Sequence, residues 1–221
     1  MSLFDIIGPV MIGPSSSHTC GAAKIGYFSR LLLGEEPKKA IIELHGSFAT
    51  TGKGHGTDLA ILAGILGIKW DNEKLTDSKR IAIQKGLNYR FKNTVLKNVH
   101  PNSARIYLYG NNFTVNIIGS SIGGGDIKIP FINNFNLDVD IKKSSIIMFY
   151  DDVPGIIAKT TGLIAKKKIN IAYLRSARSS SSGKAMMFIA TDMKIDTDTT
   201  EQLNEIKHVK WVRVLRSIYE Y

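Results

Sequence analysis

The chain has 221 residues, 43% of them hydrophobic, enough for one or two domains with real cores. A single cysteine, Cys20, excludes an intrachain disulfide, and one thiolate cannot by itself hold an iron–sulfur cluster or a cysteine-rich zinc site. The net charge of +10 raises the question of an anionic partner, but it is spread, with 15 basic and 11 acidic residues before residue 141 and 14 and 8 from there on. The one dense cluster, Lys166 to Lys168, reads as a solvated helix end, so no nucleic acid is expected. The longest apolar-plus-glycine run, Leu59 to Ile68, is half the roughly 20 residues of a bilayer span, and Asp5 stands where a signal peptide wants positive charge. A cytoplasmic chain without a membrane partner is the expectation.

In chain order, a short apolar stretch from Leu3 to Ile12 leads into Gly13, Pro14 and three serines. Helical spacing follows at Ile25, Phe28, Leu31 and Leu32, closed by Gly34. Lys39 to Leu44 reads as a strand running into His45, a glycine-rich loop follows, and Thr57 and Asp58 start a helix from Leu59 to Leu66. An amphipathic helix is predicted around Asp77 to Phe91, and a hairpin joins Ala104–Tyr109 to Phe113–Ile118 through Gly110, Asn111 and Asn112. Asn133 to Ser145 is polar and reads as a linker or loosely packed strand, which puts a domain boundary near residue 143. Beyond it come strand Ile146–Tyr150, helix Gly155–Lys166, strands Asn170–Arg178 and Lys184–Thr191 about a serine-rich turn, helix Thr199–Lys207 and strand Val209–Ile218. That order, βαββαβ, is a ferredoxin-like unit.

The candidate chemistry sits in histidine loops rich in Gly, Ser, Thr and Pro. His18 lies in G-P-S-S-S-H-T, where hydroxyls and unpaired helix-start amides suit a carboxylate or phosphate; a serine-rich cap beside an exposed histidine is the structural alternative. His45 opens H-G-S-F, and His55 sits in G-K-G-H-G-T-D, so two imidazoles and Lys53 stand where they can converge on an anion. The loop lacks the order of a P-loop. His100, Pro101 and Asn102 precede the hairpin, and Gly123, Gly124 and Gly125 follow it. No H-x-x-x-H or H-E-x-x-H pair offers a metal site, and Ser17 next to His18 in sequence is not triad geometry.

Taken together, G-P-S-S-S-H-T, H-G-S-F-x-x-T-G-K-G-H-G-T-D, H-P-N and S-I-G-G-G resemble, in order, the beta chain of the iron–sulfur-dependent L-serine dehydratases, over nearly the whole chain. Asp152 to Gly155 resembles the D-x-P-G entry to the first helix of an ACT domain, and Asn170–Ile171 the start of its second strand. The resemblance implies an α/β (α+β) chain: a mixed α/β domain of allosteric-substrate-binding type over residues 1–143, and a ferredoxin-like βαββαβ ACT domain over 144–221. It implies a subunit of an L-serine ammonia-lyase, forming pyruvate and ammonia without pyridoxal phosphate and inactive without an alpha chain whose cysteines hold a [4Fe–4S] cluster. The cluster's open iron would act as Lewis acid on the serine hydroxyl.

On that footing His18, His45 and His55 are the expected catalytic residues. Ser15, Ser16, Ser17, Thr19, Ser47, Lys53, Gly54, Asp58, His100, Asn102, Gly123 and Gly124 are the expected substrate contacts, and no metal is held by this chain itself. Asp152, Pro154, Gly155, Asn170 and Ile171 mark a regulatory site for L-serine or a potassium ion, with pairing of ACT domains giving an α2β2 assembly. The competing readings are a free-standing amino-acid sensor and, from the charge, a nucleic-acid-binding regulator.

Overall fold

A computed structural model describes residues 10–219, so the readings placed on Asp5 and on the stretch from Leu3 to residue 9 lie outside the described residues. The chain divides into two units, the first ending at Asn134 and the second starting at Phe135. The boundary was expected near residue 143, and the polar stretch expected to be a linker or loosely packed strand forms a strand over Phe135–Asp140.

In the first unit, one turn of π-helix, Ser16–Gly21, runs straight into α1, Ala22–Leu33, which Gly34 ends in the left-handed conformation (φ 73°). Strand β1, Lys39–His45, is followed by the short helix α2, Ser47–Thr50, a 3₁₀ turn, Gly52–His55, and α3, Thr57–Ile65. Helix α4 spans only Ser78–Gln84, and β2, Asn88–Thr94, takes the end of the segment predicted to be helical. Gly86 at φ 67° breaks the helix, and the alternation through Tyr89 and Phe91 is that of a strand pairing in parallel with β1. The predicted hairpin forms from β3, Ser103–Tyr109, and β4, Thr114–Gly123, and β5, Asp126–Ile132, returns beside β4. The sheet order runs β2-β1-β3-β4-β5, parallel at the β1–β2 edge and antiparallel elsewhere.

Helix α1 packs on β3 and β4 and crosses α3. Gly26 and Gly64 make that crossing possible: a Cβ on Gly26 would stand 2.2 Å from the Ile61 carbonyl oxygen, and one on Gly64 2.1 Å from that of Ala23. The apolar run that begins at Leu59 is therefore a buried helix, with Ile61, Leu62 and Ile65 fully covered, and among the described residues no helix is long and apolar enough to cross a membrane.

In the second unit β6, Phe135–Asp140, packs against β8 and β9. Then follow β7, Ser144–Asp151, α5, Ile156–Lys166, β8, Ile171–Arg178, β9, Lys184–Thr191, α6, Thr197–Asn204, and β10, Val209–Leu215. Their sheet order, β10-β7-β9-β8, is the ferredoxin-like arrangement the pattern predicts, with all pairs antiparallel. Met148, Met187 and Ile189 from the two central strands meet Ile156, Ile164 and Leu203 from the helices in one core.

A methyl group at Gly64 meets backbone atoms of α1, which cannot move aside as a side chain does. Gly64→Ala is expected to lower the unfolding free energy by about 1–3 kcal/mol in a urea titration, while Gly67→Ala, with open space around it but φ at 79°, loses less.

Candidate functional site

The π-turn and the α2–3₁₀ segment bring Ser15, Ser17, His18, Ser47, Thr51 and His55 together. His18 is held at both ring nitrogens: Nδ1 lies 3.0 Å from Ser17 Oγ, and Nε2 lies 2.8 Å from Ser47 Oγ and 3.2 Å from Thr51 Oγ1. Ser15 Oγ accepts from the His18 amide at 3.1 Å and lies 3.3 Å from Ser17 Oγ, while Ser47 and Thr51 hydroxyls are 3.0 Å apart. Phe48, fully buried, presents its ring to His18 edge-on, with centroids 5.4 Å apart.

The rings of His18 and His55 lie 5.1 Å apart at a tilt of 40°. His55 Nδ1 lies 3.0 Å from the Thr51 carbonyl oxygen, an acceptor, so Nδ1 carries the hydrogen and the neutral ring keeps its lone pair on Nε2. A reciprocal pair of bonds fixes the two backbones: Thr19 Oγ1 donates to the His55 carbonyl at 2.9 Å, and Thr57 Oγ1 donates to the His18 carbonyl at 2.8 Å. Both threonines are buried. Burial, and next the neighbouring His55, push the His18 pKa below its ordinary 6.5, against a smaller opposing pull from Ser47.

The H-P-N turn acts as a brace. The Pro101 carbonyl oxygen accepts from the Ser47 amide at 3.0 Å, Gly46 at φ 56° lies so close to Pro101 that a Cβ would stand 2.4 Å from that oxygen, and the Asn102 carbonyl accepts from the Ser121 amide at 2.8 Å. His100 Nδ1 accepts from the Asn102 amide at 3.1 Å inside the turn itself. On the other side, Ser121 Oγ, buried without a partner, occupies the place a Gly21 side chain would need. Gly123 and Gly124 shape the β4–β5 turn with φ of 106° and 60° and have open space around them. Lys53 and Gly54 are exposed on the 3₁₀ turn beside His55, and the Lys53 ammonium forms no hydrogen bond or ion pair among the described residues.

The structure does not bring every expected residue here. His45 Nδ1 accepts from the Leu96 amide at 3.1 Å, and no hydrogen bond or ring contact joins His45 to His18 or His55. Asp58 pairs with Lys79 at 2.7 Å, at the start of α3. Ser16 is half-buried within the π-turn and its hydroxyl has no partner among the described residues. Thr51, Thr57 and Phe48 were missed. Thr51 falls four residues after Ser47, which on a helical turn is the same face, and that spacing is the signal that was available.

With that geometry in view, comparison with known proteins is decisive. The model of the serine dehydratase beta chain family matches residues 2–129. The chain belongs to that family. The ACT domain model matches residues 144–208. The chain is 40% identical over 208 residues to a protein named probable L-serine dehydratase, beta chain, of Bacillus subtilis, covering 94% of each. It is 39% identical over 204 residues to the L-serine dehydratase, beta chain, of Peptoniphilus asaccharolyticus, covering 91% of this chain and 90% of that one. A protein named L-serine dehydratase from Helicobacter pylori (strain J99) shares 41% over 102 residues, 44% of this chain and 21% of its own length.

In the ACT domain, Asp152, Pro154 and Gly155 line a cavity of about 330 Å³ together with Tyr150, Ser176 and Arg178. Asp152 Oδ2 accepts from Arg178 Nε at 2.6 Å, and the Tyr150 and Ser176 hydroxyls lie 2.9 Å apart. Asn170 and Ile171 stand at the other end of β8, roughly 20 Å along the strand from Arg178 at about 3.3 Å per residue. There Asn170 Nδ2 bonds Asp192 at 2.5 Å. Asp151, beside the cavity, accepts from Lys184, from Lys210 at 2.9 Å and from His208 at 3.2 Å, and these hydrogen bonds, Lys184 first, hold its carboxyl well below the usual carboxylate range.

Because the fold favours neutral His18, protonation opposes folding: stability is full above about pH 6.5 and falls as the pH drops below that value. Removing His55 removes part of the cause. In His55→Gln the His18 ring is expected to titrate at a higher pH than in the unaltered chain, read from imidazole signals by NMR; a lower midpoint contradicts the assignment.

Proposed function

We propose that this chain is the beta subunit of an L-serine dehydratase, and that its His18–His55 cluster binds and orients L-serine for loss of the α-proton. The observation that carries the reading is the pairing of a histidine held by three hydroxyls with a second histidine whose Nε2 keeps a free lone pair. Lys53 supplies the cation for the substrate carboxylate, and the Ser15 and Ser17 hydroxyls lie beside it as further donors. His55 Nε2 takes the α-proton as general base, and His18 passes protons through its serine and threonine partners near neutral pH. Elimination of water from serine then yields 2-aminoacrylate, which hydrolyses to pyruvate and ammonia.

The donor set of this chain does not fit an iron–sulfur cluster. Cys20 is fully buried and burial pushes its thiol up to about 11, and among the described residues no three His, Cys, Asp or Glu side chains gather as a metal site. We place the [4Fe–4S] cluster on the cysteines of a separate alpha chain, with this chain inactive alone, and the assembly in the cytoplasm. In the ACT domain, the Asp152–Arg178 pair offers a carboxylate for an ammonium group and a guanidinium for a carboxylate, the two ends of an amino acid. Two lysine ammonium groups, Lys184 and Lys210, already on Asp151 make potassium the poorer ligand there. Pairing of ACT domains between two copies completes the α2β2 proposal.

Co-expression with the alpha chain and an anaerobic pyruvate assay test the site. His55→Ala is expected to lower kcat by about 10²–10⁴-fold. Lys53→Ala is expected to raise KM by about tenfold with a smaller change in kcat, and His45→Ala to cost less than either. Wild-type turnover in both His18→Ala and His55→Ala overturns the reading, as does pyruvate formation by this chain alone. For the ACT domain, calorimetry of the whole chain should give saturable heat with L-serine that Asp152→Asn and Arg178→Gln abolish; heat from potassium chloride and none from L-serine reverses the ligand assignment.

A further inference from the structure

The first unit holds a second cavity, of about 420 Å³, that none of the motifs marks. It lies under the segment after β2 and over strands β3 to β5, and its size is that of small-ligand clefts. Its lining is mixed in a particular way. Val95, Ile118 and Phe131 give an apolar wall, and Val95 is 86% exposed although it is an aliphatic side chain next to buried Leu96. Two cations, Lys97 and Arg105, border the same space, and no acidic residue lines it.

Both cations keep donors to spare. Lys97 makes no ion pair or hydrogen bond among the described residues. Arg105 shares Glu43 with Lys92, its Nη1 lying 3.5 Å from Oε2 while Lys92 Nζ lies 2.8 Å from Oε1, and this one contact leaves most of the guanidinium's five N–H donors unspent. Two cations alone suit any anion. The ring of Phe131 and the exposed Val95 add the requirement for an apolar body attached to it.

We propose that this cavity binds a small organic carboxylate with an apolar body, its carboxylate on Arg105 and Lys97 and its body against Phe131 and Val95. The site has a direct route to the His18 cluster. The amide of Leu96, in the cavity wall, donates to His45 Nδ1 at 3.1 Å, and His45 is followed by Gly46 and then by Ser47, whose hydroxyl holds His18 Nε2. Occupancy of the cavity thus bears on the placement of Ser47. The cavity itself is independent of the reading given to the His18 cluster; the link to Ser47 rests on that reading.

Phenylacetate and its neutral isostere phenylacetamide, titrated into the full chain by calorimetry, separate the requirements without any turnover. Phenylacetate is expected to bind saturably at one per chain, with phenylacetamide at least tenfold weaker. Lys97→Gln, at an exposed side chain that holds nothing in place, and Phe131→Ala are each expected to weaken phenylacetate by about tenfold. No saturable heat up to about 10 mM phenylacetate, equal binding of the amide, or unchanged affinity in both variants overturns the site. The His45 imidazole signals should shift with saturation. Binding that shows the variant effects while His45 stays unmoved overturns the link to Ser47 and leaves the site standing.

Discussion

Because Gly26 and Gly64 have no side chains, the backbones of α1 and α3 touch where they cross, and the turns preceding each helix are thereby held at a fixed separation. The π-turn enters α1 and carries Ser17 and His18; the 3₁₀ turn enters α3 and carries Lys53 and His55. A methyl group between the helices would push these turns apart by a distance comparable to a hydrogen bond's tolerance. The two threonine hydroxyls then close the gap, each reaching across to the carbonyl beside the opposite histidine. An imidazole pair 5.1 Å apart is the product of this stack of constraints, with each level depending on the one beneath it.

The electrostatic setting follows from the same packing. Burial of His18, and next the closeness of His55, favour the neutral His18 ring, and the hydroxyls around it donate or accept as a neutral ring requires. Among the described residues no carboxylate pairs with either ring. The contrast with Asp151 in the ACT domain is instructive, since there one carboxylate gathers Lys184, Lys210 and His208 and is fixed in its charged form. The histidine cluster and the Asp151 cluster are thus built from opposite charge arrangements.

How much of this was legible in sequence depended on whether a residue's role is local. The cap at Gly34, the hairpin from Ser103 to Gly123 and the alternation through the ACT domain are short-range signals and were read. Composition suggested that His45, His55 and Lys53 converge, whereas the pair the structure brings together is His18 and His55; membership in the serine dehydratase beta chain family was anticipated from the order of the motifs. Asn88 to Phe91 was read as the end of a helix because its β character is realised only in a parallel pairing with β1, some fifty residues away. His45 and Asp58 sit in the right motifs but are claimed by partners no spacing rule points to, the Leu96 amide and the Lys79 ammonium. The reciprocal threonine bonds, spanning 36 and 39 residues, are equally invisible to local pattern.

The lone cysteine gains its meaning from where the packing leaves it. Cys20 lies in the π-turn two residues after His18, close in sequence to the candidate site, yet its side chain is wholly buried. Burial destabilises the thiolate, and Asp71 and Asp126 oppose it further, while Lys24 only partly compensates, so the thiol stays protonated across the physiological range. A metal or an electrophile needs the thiolate. The one thiol of the chain is thus kept protonated by the same close packing that holds His18, and the groups left around that packing are imidazole, hydroxyl and ammonium.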